Sequence, residues 1–102
     1  KQFDQVTLDT ALGQAVEGNS LPVARRLVEL GANPNGVDRG GELPLTYWAR
    51  SSGMRDILAF LISKGADPHK TDGYGQTPFD QMTGRQRRMV ARLIEGSGAR
   101  AR

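Results

Sequence analysis

The single histidine of this chain, His69, lies between two carboxylates, Asp67 and Asp72. It is the only imidazole available as a base or a metal ligand. One histidine and two carboxylates in a stretch rich in turn residues fall short of a metal set, which needs more convergent donors. There is no cysteine, hence no thiolate nucleophile, no Cys-based zinc site and no disulfide. No serine stands in a nucleophile signature, and a Ser/His/acid set would have to recruit His69 from a loop start. Gly73-Tyr74-Gly75 has glycines like those of a phosphate loop, but lacks the preceding strand, the third glycine and the lysine. These residue types argue against an enzyme, and they lead to no catalytic residue, no metal and no cofactor.

The other chemically capable groups are cations. Residues 1–75 carry 8 Lys+Arg and 9 Asp+Glu, whereas residues 76–102 carry six Arg against Asp80 and Glu95. The net charge of +3 therefore resides in the last quarter of the chain. Arg85, Arg87, Arg88 and Arg92 read either as the solvated side of a helix or as a patch for nucleic acid or an acidic protein. No aromatic residues are interleaved with them to stack on bases, which weakens the nucleic-acid reading. Arg100 and Arg102 follow Gly96-Ser97-Gly98, and residues 97–102 are expected to be a disordered tail.

The elements that must position these groups are legible as a repeat. Residues 23–35, VARRLVELGANPN, return 34 positions later as residues 57–69, ILAFLISKGADPH. A fixed period of about 20–50 residues signals stacked supersecondary units. In the second unit Pro44 suits the first turn of a short helix, with Leu45, Trp48, Ala49 and Ser52 on one face and Gly53 ending it. Asp56 opens the next helix, in which Ile57, Leu58, Leu61 and Ile62 form an apolar stripe. Gly65 sits just past that helix, and Pro68 forbids its continuation. Asp72-Gly73-Tyr74-Gly75 supplies turn chemistry. The first unit repeats the plan with Ala11–Gly18, then Val23, Ala24, Leu27 and Val28, then Gly31-Ala32-Asn33-Pro34. A degraded third unit has Thr77-Pro78-Phe79 and the stripe Met89, Val90, Leu93 and Ile94.

This pattern resembles the ankyrin repeat family, whose unit is about 33 residues with a T-P-L-H-x-A signature. Thr77-Pro78-Phe79, Leu43-Pro44-Leu45 and Thr10-Ala11-Leu12 resemble its opening motif, and Gly31–Asn35 and Gly65–His69 its helix-ending GADxN. The resemblance covers residues 6–96 and implies an all-α solenoid of helix-turn-helix units joined by hairpin-like loops. One domain, 1–102, is expected. Residues 1–9 form an irregular N-terminal lid holding Phe3, Val6 and Leu8, 10–42 the first repeat, 43–75 the second, and 76–96 a C-terminal cap. The family's motif histidine is replaced by Gly13, Thr46 and Asp80. Leu12 to Gly31 spans 19 positions and Leu45 to Gly65 spans 20, so an extra residue lies among Arg50, Ser51 and Ser52. The third unit is one residue shorter around 84–88.

The family's usual binding surface is the concave face: loop tips and the exposed side of each first helix. Carried over by motif, it places Arg39, Gly40, Glu42, Gly73, Tyr74 and Gln76 on the variable loop positions. The ends of the first helices add Glu17, Arg50, Ser51 and Arg85. Trp48 joins this surface if the insertion rotates it outward, and fills core otherwise. Asp38 and Asp72 read as structural, bonding backbone donors in their own loops.

The resulting expectation is a non-catalytic module that binds a protein partner, monomeric by itself. A narrower expectation is an immunity protein neutralising a toxic effector, because Pro44-Leu45-Thr46-Tyr47-Trp48-Ala49 resembles the aromatic-bearing first helices of short bacterial ankyrin proteins. The alternatives are an anionic-polymer binder using the arginine-rich end, and a fragment of a longer stack. The chain begins at Lys1 and not Met, so removal of upstream sequence is expected, and a targeting signal or anchor could have been lost with it. The longest apolar run, six residues from Ile57, is too short to span a membrane.

Overall fold

A computed structural model describes residues 3–51 and 54–96. Among the described residues five α-helices follow in order: α1 (Gln5–Glu17), α2 (Leu21–Glu29), α3 (Pro44–Arg50), α4 (Arg55–Ser63) and α5 (Gly84–Gly96). A single 3-10 turn, Phe79–Gln81, stands where a sixth helix would complete the third pair. The described residues contain no strand.

Each helix begins and ends for a local reason. Asp4 is extended and caps α1 by accepting from the Thr7 amide at 3.0 Å. Hydrogen bonding to the Thr7 side chain, reinforced by this bond to its amide, holds the Asp4 carboxyl below its ordinary pKa. Pro22 and Pro44 occupy the first turns of α2 and α3, where a missing donor costs nothing. Asp56 lies in the first turn of α4, where its charge suits the helix dipole. Gly31 and Gly65 follow α2 and α4 at φ +114° and +91°, a conformation that a Cβ would strain. In α5, Thr83 and Gln86 cap each other reciprocally at 2.9 and 3.1 Å.

The start of the chain departs from the expected lid. Residues 5–9 open α1, with Leu8 and Asp9 buried. Leu8, Leu12, Ala15 and Val16 continue one buried face, a helical spacing that a reading begun at Thr10 truncates. The burial of Asp9 is compensated by hydrogen bonds: it accepts from Gln5 Nε2 at 2.9 Å and from the Asn33 amide at 2.7 Å.

The core is one layer between first and second helices, and the middle unit supplies most of it. Ile57, Leu58, Leu61 and Ile62 are all buried. Of their counterparts at the ends only Ala24 and Val90 are buried: Val23 is 50% exposed, and Leu27, Val28, Met89, Leu93 and Ile94 are only partly covered. α4 packs on both α2 and α5 and so lies between them. A terminal unit has a neighbour on one side only.

Trp48 is fully buried and leaves the expected surface. Its indole N–H donates to the Met54 carbonyl at 2.9 Å, so the ring enters the core without an unpaired donor. The insertion beside it does not turn it outward; Ser52 and Gly53 of that stretch lie outside the described residues. The expected tail, 97–102, also lies outside them.

Successive units are stapled by polar side chains at the loop bases. Asn35 donates to the Gly65 carbonyl at 2.9 Å and accepts from the Asp67 amide at 2.7 Å. One period earlier, two residues divide this role between them. Gln5 donates to the Gly31 carbonyl at 2.9 Å, and Asp9 accepts from Asn33. His69, one period after Asn35, instead stacks on Phe79 with ring centroids 4.7 Å apart.

Candidate protein-interaction surface

The two hairpin loops are built alike. Asp38 bonds Glu42 through both backbone groups of one rung, its amide donating to the Glu42 carbonyl and its Oδ1 accepting from the Glu42 amide, each at 2.9 Å. Asp72 repeats this with Gln76, at 2.7 and 3.0 Å, and also accepts from the Tyr74 amide at 2.8 Å. Both carboxylates are buried and structural, as their turn positions suggest. The loops are then tied together by the Gly73 amide, which donates to the Gly41 carbonyl at 2.9 Å.

Tyr74 crosses this seam. It is 68% exposed, yet its hydroxyl donates to the Gly40 carbonyl at 2.8 Å. Its ring lies against Gly41, where an added Cβ would come within 2.9 Å of Cε2. Gly41 also holds φ +83°, so glycine is required there twice over. The result is an aromatic side chain presented to solvent in a fixed pose.

Arg50, at the end of α3, reaches the first loop. Its guanidinium grips the Glu42 carboxylate with two nitrogens, at 2.7 and 2.5 Å, and lies 5.5 Å from the Tyr47 ring centroid. The Glu42 hydrogen bond raises the Arg50 pKa further. Tyr47, which sequence reasoning missed, anchors the corner. Its hydroxyl donates to Asp38 Oδ2 at 2.6 Å. Burial, reinforced by that bond, pushes its pKa well above the ordinary 10.0. The ring occupies space left by Gly13, where a Cβ would come within 2.7 Å of it. Gly13 lies on α1 and Tyr47 on α3, the first helices of successive units, so a missing side chain in one unit makes room for a large one in the next. Thr46, at the motif-histidine position, is buried with its hydroxyl unpartnered among the described residues.

The structure thus brings Arg39, Glu42, Arg50, Gly73, Tyr74 and Gln76 to one edge. Arg39 is anchored there by its Nη2, 3.0 Å from Thr7 Oγ1, and by its amide on Thr10 Oγ1 at 3.1 Å. Gln76 is exposed and accepts from Gln81 at 3.1 Å. Ser51 is half-buried, and its hydroxyl closes the end of α3 by donating to the Trp48 carbonyl at 3.2 Å. Arg85 does not belong to this edge. It lies in the first turn of α5, a second helix, and lines a cleft against α4. Among the described residues no group of three or more His, Asp or Glu side chains could hold a metal ion, and no helix is long and apolar enough to cross a membrane.

Paired helices, stapled loops and a polar, aromatic-bearing edge define a repeat scaffold whose chemistry is recognition. A family model for ankyrin repeats (3 copies) matches residues 2–72, and the chain belongs to the ankyrin-repeat family. Ankyrin repeats indicate a protein–protein interaction module. The chain is 35% identical over 78 residues to an Ankyrin repeat and LEM domain-containing protein 1 homolog of Caenorhabditis elegans, covering 76% of this chain and 11% of that protein. It is 40% identical over 70 residues to Protein phosphatase 1 regulatory subunit 27 of Homo sapiens, covering 69% of this chain and 45% of that one. Among solved structures, the ankyrin repeat domain of Bcl-3, a member of the IkappaB protein family, matches with a TM-score of 0.65 at 27% identity, covering 83% of this chain and 36% of that one. The chain spans less than half the length of each of these proteins.

Proposed function

We propose that this chain is a non-catalytic module that binds one protein partner through the edge formed by the 38–42 and 72–76 loops and the end of α3. The observation that carries this reading is Tyr74: largely exposed, yet immobilised by its hydroxyl bond to Gly40 and its packing on Gly41. A rigid aromatic gives contact area with little ordering cost on binding. Tyrosine and arginine dominate interface energetics, and Arg39 precedes the Gly40 that Tyr74 bonds while Arg50 grips Glu42 of the same loop. The Arg50–Glu42 pair presents a neutral fork at the rim, which favours a polar rather than a strongly acidic partner surface at this edge.

The immunity role draws no support of its own from α3. Of its two aromatic residues, Trp48 is internal and Tyr47 is pinned to Asp38. The test is capture from source cells by the wild-type chain and by Tyr74→Ala/Arg50→Ala, at low and high salt. The expected outcome is one protein retained at high salt by wild type and weakened by at least about tenfold in the double variant, as for loss of a hot spot. Equal capture by both chains would overturn the assignment of the surface.

A further inference from the structure

Shallow clefts separate the second helices, and they differ in charge. The α2/α4 cleft, of about 480 Å³, mixes Arg25 and Lys64 with Asp56. Both of its cations also lie over the Phe60 ring, at 5.4 and 6.0 Å. The α4/α5 cleft, of about 320 Å³, is lined by Arg55, Arg85, Arg88, Met89, Arg92 and Leu93. It contains four guanidinium groups and no carboxylate. A second hollow shares Arg55, Arg92 and Leu93 and extends the cleft to Gly96.

None of these four guanidiniums has a hydrogen bond, ion pair or ring contact among the described residues, where the ion pairs are Arg26–Glu29 and Arg50–Glu42. The nearest acids in sequence do not serve them: Asp56 lines the neighbouring cleft, and Glu95 lines neither hollow. Arg87, in the same run, is differently placed. Its Nε donates to the Phe79 carbonyl at 3.0 Å, and its guanidinium lies 4.6 Å from the Phe79 ring centroid. The cationic set is therefore Arg55, Arg85, Arg88 and Arg92, gathered from two helices, and not the continuous run of the sequence.

We propose that the α4/α5 cleft binds an acidic, amphipathic helical segment of a protein partner, independently of the loop edge. Arg85, Arg88 and Arg92 stand at i, i+3 and i+7 of α5, a row about 10 Å long on one helix face. Glutamates at the same spacing on an apposed helix repeat that rise and meet each fork in turn. Arg55 closes the row from the α4 side. Met89 and Leu93 form a partly buried apolar floor at i and i+4, and methionine adapts to varied apolar partners. A nucleic-acid backbone offers that floor no apolar group, and no aromatic ring lines the cleft to stack on a base.

The test uses a fluorescein-labelled helical peptide of glutamates at i, i+3/i+4 and i+7 with interspersed leucines, beside single-stranded DNA of equal charge. Anisotropy titrations compare wild type, Arg55→Glu/Arg88→Glu, and Arg26→Glu/Lys70→Glu, which changes net charge equally elsewhere. The expected result is saturable peptide binding that falls by at least about tenfold in the cleft variant, stays near wild type in the control, and exceeds DNA binding. Circular dichroism confirms that the exposed substitutions leave the helices intact. No saturable binding, an equal loss in both variants, or DNA binding as tight as the peptide's would each overturn the proposal.

Discussion

Arginines at the loop edge and arginines at the α4/α5 cleft are the same side chain in opposite circumstances. Arg39 is bound to Thr7 and Thr10, and Arg50 to Glu42, so the edge is a finished surface whose polar groups hold its own shape. Arg55, Arg85, Arg88 and Arg92 hold nothing among the described residues. The first arrangement suits a pre-formed contact with a protein; the second leaves charge to be satisfied from outside. The difference separates structural from available charge in a way that composition cannot, since a count of residues sees only the arginine-rich end.

The largest effect expected at the edge comes from its buried corner. Tyr47→Phe removes the hydroxyl that Asp38 accepts and should cost about 1–2 kcal/mol in chemical denaturation at neutral pH. The same group sets a pH signature. Because the folded pKa of Tyr47 lies above the ordinary 10.0, its contribution is complete below that value. The contribution declines as pH rises past it, when the unfolded chain ionises first. Wild-type stability should fall from about pH 9 to about pH 11, and Tyr47→Phe should lose that component of the slope. Identical slopes would place the corner tyrosine outside the structural set.

A smaller effect sharpens the contrast directly. Arg50→Ala breaks an exposed pair and should destabilise by less than about 1 kcal/mol, while Arg88→Ala should leave stability unchanged within error. A measurable loss in Arg88→Ala would mean that the cleft arginines are holding the fold after all.

Much of this molecule was legible as sequence. The period, the glycines after α2 and α4, Pro44 in the first turn of α3, and the turn role of Asp38 and Asp72 all follow from local backbone chemistry. What escaped depended on contacts between units. Arg55 is thirty positions from Arg85 and reads as a helix start; only the packing of α4 on α5 sets them around one cleft. Trp48 and Tyr47 are neighbours on one short helix, and which of them faces inward is decided by the rotation of α3 against α1 and by the room at Gly13. Residues 5–9 read as a lid when the motif is taken to start at Thr10, although Asp4 as a cap and Leu8 four residues before Leu12 already extend the helix backwards.

In the proposed function the partner seats on the loop edge. The most direct measurement of that seating is an amide NMR titration of the isotope-labelled chain with the captured protein. Shifts are expected to concentrate at residues 38–42 and 72–76 and at the end of α3, with α5 largely unmoved. Shifts confined to α4 and α5 would contradict that seating and make the arginine cleft the primary binding surface.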